Sequence, residues 1–253
     1  MYAEERQQRI VGRARADGRI DVAQAAEEFA VTPETIRRDL RALEREGLVR
    51  RVHGGAFATE RAGSEMPLST RSTRMVAEKQ RIGKAAADLI GDAESVFVDE
   101  GMTPRFVAEA LPTDRPLTIV TAALPTALAL ADNPAMTVIQ LGGRIRGRTL
   151  ATVDYWTSRM LDDLAIDLAF LSANGVTRQH GTTTPDPAVA EVKHRAARAA
   201  RRRVFVADHT KFGVDSFCRF AEVRDFSVIV TDTGLSAAEA HRYELLGPQV
   251  LRA

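Results

Sequence analysis

Two threonines and two adjacent arginines stand close together in TPETIRRDL (32–40). Arg offers a planar fork of donors to phosphates and to the guanine edge, and Thr reaches a phosphate or a thymine methyl. At about 100° per residue, Ile36, Leu40 and Leu43 fall on one stripe of a helix. Glu34, Arg38, Arg41 and Arg45 then point away from that stripe, and Thr35 and Arg37 flank the exposed face. The first turns of such a helix present Thr35, Arg37 and Arg38 outward together. A solvated charged face would carry the same pattern. What favours a reader of DNA is the next stretch, GLVRRVHGGAF (47–57), where Arg50, Arg51 and His53 cluster beside a Gly54-Gly55 turn. Leu48 and Val52 give it a strand rhythm. It reads as a two-stranded wing whose turn lies beside a DNA backbone.

A second group of chemistry-bearing residues follows short apolar runs. VFVD leads into EGMTP, TIVT into AALP, VIQL into GGR, AFLS into ANG, and VFVAD into HTKFG. Gly101, Gly142, Gly143 and Gly175 allow close backbone approach, and Thr103 and Thr121 offer hydroxyls. Helix N-termini at such turns offer free N–H groups to an anion. Each turn alone is what any strand-to-helix connection favours. The five together, with Asp208 and Lys211, point to one convergent pocket. His53, His180, His194, His209 and His241 show no ligand spacing with the single Cys218, so no metal site is expected. Tyr155 and Trp156 read as packing residues, and Cys218 as buried filler.

The elements that must position these groups are legible in the same way. A helix over 4–16 carries Ile10, Val11 and Ala14 and ends at Gly18. Ile20 and Val22 suit a very short strand. Asp21 caps a second helix, with Gln24 in capping-box position, and that helix buries Ala25, Ala26 and Phe29. Thr32 is an N-cap and Pro33 a first helical residue for the third helix, which runs to about Glu46 and stops at Gly47. Residues 1–57 therefore read as a small winged helix-turn-helix. Residues 58–72 (ATERAGSEMPLSTRS) have a linker composition. From 73 to 253, helices are expected at 75–90, 104–111, 125–131, 154–161, 187–200 and 237–246. Strands are expected between them at 95–99, 117–121, 136–141, 166–171, 203–207 and 226–231. The chain is thus of the α/β class, a small N-terminal domain followed by a larger one with a mostly parallel sheet covered on both faces. In such sheets ligands bind beyond the C-terminal strand ends.

Size and composition agree with this division. A chain of 253 residues suits one small and one medium domain, and 45% hydrophobic residues suffice for a substantial core. The 35 basic and 34 acidic side chains leave a net charge of +1, so bulk charge attracts no nucleic acid or membrane. Residues 1–57 hold 11 Arg against 10 acidic residues, so DNA binding must come from placement. Only Lys79, Lys84, Lys193 and Lys211 are lysines, and in so Arg-rich a chain an Arg by itself means little. One cysteine permits no internal disulfide. MYAEERQQRI lacks an apolar signal core, and no apolar run approaches the roughly 20 residues of a membrane span. A cytoplasmic protein with no membrane partner is expected.

TPETIRRDLRALEREGLVRRVHGGA resembles, almost residue for residue, the winged helix-turn-helix of DeoR-type bacterial transcription regulators. The resemblance implies that Thr35, Arg37, Arg38 and Arg41 contact DNA, with Arg51, His53, Gly54 and Gly55 in the wing. The region from 73 to 253 resembles the sensor domain of the same regulators. That likeness rests on LGGRIRGRT (141–149), DLAFLSANGV (167–176), GTTTPDPAVAEVKH (181–194) and ADHTKF (207–212). That domain is related to ribose-5-phosphate isomerase and commonly senses phosphorylated sugars. By this likeness Lys211 would hold a phosphate or a sugar oxygen, Asp208 would orient hydroxyls, and Glu191 would sit near the pocket. With the turn residues above, the expected effector set is Asp99, Gly101, Thr103, Thr121, Gly142, Gly143, Arg144, Asn174, Gly175, Glu191, Asp208 and Lys211.

Two positions depart from the family pattern. Glu100 stands in the first pocket loop, where it would repel a dianion unless Arg105, Arg144 or Arg148 neutralises it. Ala122 replaces an amide after the second strand. Both make a polyol or a free sugar an alternative to a sugar phosphate. The isomerase chemistry itself is not expected. Ser172-Ala173-Asn174-Gly175 replaces an acidic pair, and His180 stands in place of a lysine ahead of the glycine-rich loop. The resemblance implies a repressor of a carbohydrate or polyol catabolic operon, released by a sugar phosphate or related metabolite. Its partners would be double-stranded operator DNA, that small-molecule effector and further copies of the chain, as a dimer or tetramer. No cofactor is expected. An activator of the same kind of operon and an isomerase-like enzyme are the runner-up readings.

Overall fold

The Asp21 carboxylate accepts the N–H groups of Ala23 at 2.8 Å and Gln24 at 3.3 Å, and so opens a helix directly after a three-residue strand. In the computed structural model, which describes residues 3–45, 48–52, 54–58 and 73–253, the first helix, α1, spans Ala3–Asp17. The strand β1 is Arg19–Asp21 and the capped helix α2 is Val22–Glu28. Val22 therefore starts the helix, although its N–H still reaches across to Gly54 O at 2.9 Å. Thr32 Oγ1 accepts Thr35 N at 3.2 Å, Pro33 follows, and α3 runs Pro33–Arg45. Glu46 and Gly47, expected to end it, lie outside the described residues.

The wing is the hairpin β2 (Val49–Val52) and β3 (Gly55–Ala58), with β1 paired to the other edge of β3. Its inward residue is Val49, which is buried, whereas Leu48 is only partly buried and Val52 is exposed. The expected alternation was one residue out of step. Gly55 belongs to strand β3, not to the turn, and a Cβ there would lie 2.2 Å from the Ile20 carbonyl oxygen. Only glycine lets β1 and β3 approach this closely. Ile10, Ala14, Ile20, Ala25, Phe29, Ile36, Leu40, Leu43 and Val49 close one core under these elements. Each large side chain buried there contributes about 1.5–3 kcal/mol, and truncating Ile36 to Ala would cost about 2–5 kcal/mol.

Contacts divide the chain into two units, Met1–Ser64 and Glu65–Ala253. The linker expected at 58–72 lies outside the described residues except for Ala58, which closes β3. The second unit is built on a seven-stranded sheet in the order β15-β14-β12-β9-β4-β5-β6, parallel at every pairing. Its strands are β4 (Ser95–Val98), β5 (Leu117–Thr121), β6 (Met136–Gln140), β9 (Ile166–Leu171), β12 (Ala200–Val206), β14 (Val228–Thr231) and β15 (Gln249–Arg252). The helices are α4 (Val76–Ala87), α5 (Met102–Ala110), α6 (Leu124–Leu130), α7 (Tyr155–Asp162), α8 (Pro187–Ala199) and α9 (Ala237–Glu244).

Side chains alternate across the sheet. Val96, Val98, Leu168, Phe170, Val204 and Val206 meet Ile82, Val107 and Leu130 of α4, α5 and α6. Phe97, Ala169, Leu171 and Phe205 meet Leu161, Ala196 and Tyr243 of α7, α8 and α9. The chain steps outward from β4 to β5 and β6, then returns to place β9 on the other side of β4. The direction of winding thus reverses between β4 and β9, which opens a crevice at their C-terminal ends.

Three features depart from the expected element string. Two antiparallel pieces were missed: the hairpin β7 (Arg144–Arg146) with β8 (Ala151–Val153), and the small sheet β10 (Gly175–Thr177), β11 (Gly181–Thr184), β13 (Cys218–Ala221). Their strands have three or four residues and polar faces, too short for a periodic signal. The chain closes on β15 and not on a helix. Strand β12 starts at Ala200, because Ala200, Arg202 and Arg203 already pair with β9.

Candidate nucleic-acid interface and ligand cleft

On α3 the exposed face carries four arginines in different states. Arg37 lies 3.2 Å and Arg41 3.4 Å from the two oxygens of Glu34. Arg45 Nε donates to the Arg41 carbonyl at 3.4 Å. Arg38 is exposed and, among the described residues, makes no hydrogen bond or ion pair. The Thr35 hydroxyl shares a hydrogen bond of 2.9 Å with Thr32. In the wing, Arg51 pairs with Glu44 of α3 at 3.6 Å, and its N–H donates to the same carboxylate at 2.9 Å. Gly54 sits in the turn at φ +78°. His53 lies outside the described residues. The back of α3 holds an acid as well. Asp39 is buried and accepts Arg6 Nε at 2.6 Å and Gln7 Nε2 at 3.1 Å.

In the second unit a cleft opens at the ends of β4, β9 and β12, about 580 Å³ including the solvent at its mouth. Gly101, Thr103, Asn174, Asp208 and Lys211 of the expected set line it. The lining residues Arg74, Lys79 and Ser172 were not foreseen. Gly101, at φ +109°, caps α5, so the first N–H groups of that helix face the cleft wall. Lys79 is buried and donates to the Arg74 carbonyl at 2.6 Å. Lys211 is half-buried. Three cations and a single carboxylate, Asp208, thus line one cleft beside a helix N-terminus, an arrangement that favours an anion. Asp208 itself caps the short turn that follows, accepting Thr210 N at 3.1 Å.

Behind the cleft wall lies a charged cluster. Asp99 is buried and accepts Ser172 N at 2.8 Å and the Lys193 ammonium. Lys193 Nζ also lies 3.8 Å from Glu100 Oε1. Glu100 is therefore answered by Lys193 of α8 and not by Arg105, Arg144 or Arg148. Its Oε2 is buried and, among the described residues, has no hydrogen-bond partner. Lys193 was missed although it is one of only four lysines in the chain. Three of the four stand at this site, Lys79 and Lys211 in the wall and Lys193 behind it.

The remaining expected residues lie elsewhere. Thr121 Oγ1 donates to the Val98 carbonyl at 2.7 Å and accepts Ala123 N at 3.0 Å, tying β5 to β4. Gly142 and Gly143 pack on α7. The Gly142 carbonyl accepts Thr157 Oγ1 at 2.7 Å, and a Cβ on Gly143 would lie 2.2 Å from that hydroxyl. Arg144 is exposed and pairs with Asp154 at 2.6 Å. Gly175 follows Asn174 and meets the Val214 carbonyl. Glu191 is exposed on the outer face of α8, paired with Arg195. Two residues further along, Lys193 points inward. The strand ends of β5 and β6 thus serve packing, and three turns rather than five converge. Beside the cleft, His209 Nδ1 lies 2.7 Å from Asp232 Oδ2. That bond raises the His209 pKa against the opposing effect of burial. Burial would raise the Asp232 carboxyl, but the bonds from His209 hold it below its ordinary value. Among the described residues no three His, Cys, Asp or Glu side chains gather as a metal site requires. Nor is any described helix long and apolar enough to cross a membrane.

Residues 6–62 match the model of the DeoR-like helix-turn-helix domain, and residues 74–233 that of the DeoR C terminal sensor domain. The HTH-type transcriptional regulator GolR of Listeria innocua is 30% identical over 98% of this chain and 97% of its own. The HTH-type transcriptional regulator GlpR of Haloferax volcanii is 32% identical over 99% and 98%. The lactose phosphotransferase system repressor of Staphylococcus epidermidis is 32% identical over 85% and 86%. Among solved structures, ribose 5-phosphate isomerase A of Neisseria gonorrhoeae aligns over 54% of this chain and 53% of its own, at 16% identity and a TM-score of 0.40, too slight a likeness to carry weight. With a winged helix-turn-helix and an α/β unit that each match the two parts of one regulator type, this chain belongs to the DeoR family of DNA-binding transcription regulators.

Proposed function

We propose that the protein is a cytoplasmic repressor of a carbohydrate catabolic operon, released when an anionic sugar metabolite, a sugar phosphate above all, enters the cleft at the ends of β4, β9 and β12. The observation that carries the effector class is the lining: Arg74, Lys79 and Lys211 beside the N-terminus of α5, at the reversal point of the sheet. Lys211 and the α5 N–H groups take the anion. Asn174 and Asp208, which line the cleft, meet hydroxyls. That a relative of this chain bears the name of a lactose phosphotransferase system repressor supports repression as the sign. Binding without turnover fits the place of Glu191, expected near the pocket, on the outer face of α8.

On the DNA side, Arg38 with Thr35, Arg37 and Arg41 enters the major groove, and Arg51, His53, Gly54 and Gly55 follow the backbone. A dimer or tetramer sets two such helices on repeated half-sites. An effector that prefers one sensor conformation shifts the DNA-binding population by its differential affinity, and DNA shifts effector affinity by the same factor. The test is fluorescence anisotropy on DNA from the protein's own upstream region at fixed salt, with sugar phosphates, free sugars and polyols added in turn. Selective, salt-sensitive binding released by a phosphorylated sugar is the expected result. Release by an uncharged polyol alone would overturn the effector class, and the absence of selective binding would overturn the reading as a whole.

A further inference from the structure

Tyr155 and Trp156, expected to pack, stand in solvent instead, 67% and 69% exposed. Asp232, by contrast, is 1% exposed and does not line the cleft. It directly follows β14, the neighbour of β12 in the sheet, and both its oxygens are engaged. Oδ1 accepts the His209 N–H at 2.7 Å. Oδ2 lies 2.7 Å from His209 Nδ1 and accepts the Gly234 N–H at 2.9 Å. One carboxylate thus holds both the backbone and the ring of His209, which fixes its place and its orientation. Gly234 makes room for this, since a Cβ there would lie 2.2 Å from His209 Nδ1 and 2.6 Å from Asp232 Oδ2. His209 opens the short turn His209–Lys211, whose residues Thr210 and Lys211 line the cleft. Beyond the turn, Phe212 is buried and packs edge to face against Phe205 and Tyr243, with centroids 6.4 and 5.1 Å away. Between these two anchors Lys211 is held through its backbone, its N–H donating to the Asp208 carbonyl at 3.1 Å. Its ammonium makes no hydrogen bond or ion pair among the described residues.

We infer that Asp232 is a positioning residue for the effector cleft: through His209 it fixes the turn that carries Asp208 and Lys211, and so the aim of the Lys211 ammonium. The inference rests on the reading of the cleft as an anion site and deepens it. A short turn closed by single backbone hydrogen bonds is weak by itself. Without a hold on His209 it would swing about the Phe212 anchor, and the long flexible stem of Lys211 would carry that freedom to its tip. The charge on His209 enters as well. The acids that face it are Asp232 after β14, Asp208 after β12 and Glu78 on α4. The bond to Asp232 foremost, they raise its pKa against the effect of burial. Arg74, Lys79 and Lys211 are the cations of the adjoining cleft. While His209 is charged, it forms an ion pair with Asp232 and adds a positive charge beside the bound anion. Once it is neutral, a hydrogen bond from the Nδ1–H tautomer remains, but the ion pair and the added charge are gone. Anion affinity is therefore highest below the His209 pKa and falls as the pH rises through it.

Calorimetric titration of the full chain with sulfate, at constant ionic strength, tests this. Sulfate keeps its two charges throughout the range used, so a change in affinity with pH belongs to the protein. Wild type is expected to bind sulfate about tenfold more tightly at about pH 6 than at about pH 9. Asp232→Asn is expected to weaken binding about tenfold at about pH 6, although no residue that lines the cleft has changed. His209→Gln keeps an amide donor for Asp232 but carries no charge, and its sulfate affinity is expected to be the same at both ends of the range. Lys211→Ala is expected to bind sulfate about tenfold more weakly or worse throughout. A merely structural role would lower the melting temperature of D232N and H209Q and leave the pH profile of H209Q parallel to that of wild type. If D232N fails to fold, H209Q decides. Variants D232N and H209Q that keep the wild-type affinity and profile, beside a weakened K211A, would overturn the positioning role and leave the anion cleft standing. A K211A protein that binds sulfate as well as wild type would overturn the reading of the cleft itself.

Discussion

The Arg6 guanidinium lies 2.6 Å from the Asp39 carboxylate, and both groups are buried where α1 meets α3. Asp39 directly follows Arg38, so the same pair that locks α3 against α1 also sets the angle at which Arg38 leaves the surface. Replacing Asp39 by Ala would strand a buried guanidinium, at a cost of about 3–5 kcal/mol. For a unit of this size that corresponds to a melting transition lower by roughly 10 °C or more. Scanning calorimetry of Asp39→Ala is expected to show the DNA-binding unit melting early or absent. A transition at the wild-type temperature would contradict it.

Glu34 holds both Arg37 and Arg41, 3.2 and 3.4 Å away. Phosphates must compete with it for both guanidiniums. Glu34→Gln is therefore expected to tighten non-specific DNA binding several-fold and to steepen its salt dependence by about one unit of the log–log slope. Titrations at several salt concentrations give both numbers. Unchanged affinity and slope would mean that neither arginine approaches a phosphate.

Lys193 is the only cation within 4 Å of Asp99 and Glu100 among the described residues. Lys193→Met leaves two buried carboxylates unanswered and is expected to cost about 3–5 kcal/mol in thermal or denaturant unfolding of the second unit. Lys193→Arg is expected to rescue little, because a planar fork does not fit where a compact ammonium sits. Full stability of either variant would show the cluster to be relaxed.

The His209–Asp232 pair makes stability depend on pH. Asp232, helped by Asp208 and Glu78, raises His209 above its ordinary 6.5, and His209 in turn keeps Asp232 below 3.8. A raised His contributes stability that is complete below about pH 6.5 and lost as the pH rises through its folded value. A lowered Asp contributes stability that is complete above about pH 4 and lost as the pH falls through its own. The pair thus stabilises most between roughly pH 4 and 6.5. Wild type is expected to lose more stability than His209→Gln between about pH 6 and pH 9. Parallel curves for the two proteins would exclude the pair as the source.

What was legible in the sequence follows from what each residue answers to. Ile36, Leu40 and Leu43 obey a helical period, and β4, β5 and β9 are short runs dominated by Val, Ile, Leu and Phe, so local pattern alone placed them. Val49 was displaced by one residue because a four-residue strand offers no second period to fix its phase. In the site, Gly101, Asn174, Asp208 and Lys211 follow strand ends and were found by position in the chain. Lys193 and Lys79 enter from helices, where the sequence shows only amphipathic periodicity and no direction of approach. The usable signal was type rather than spacing: in a chain where all but four of the 35 basic side chains are Arg, three of the four lysines stand at this site. Thr121, Gly142 and Gly143 shared the strand-end signature, but their partners, Val98 and Thr157, are tertiary neighbours that no local pattern names.

The most direct measurement compares Arg38→Ala and Lys211→Ala side by side, on operator DNA and with the releasing metabolite. R38A is expected to lose about 1–3 kcal/mol of operator binding while its sensor unit still takes up the metabolite. K211A is expected to hold DNA as tightly as wild type and to be released only at concentrations at least tenfold higher. A K211A protein released as readily as wild type would place the effector outside this cleft, and an R38A protein that still binds its operator would remove α3 as the reading helix.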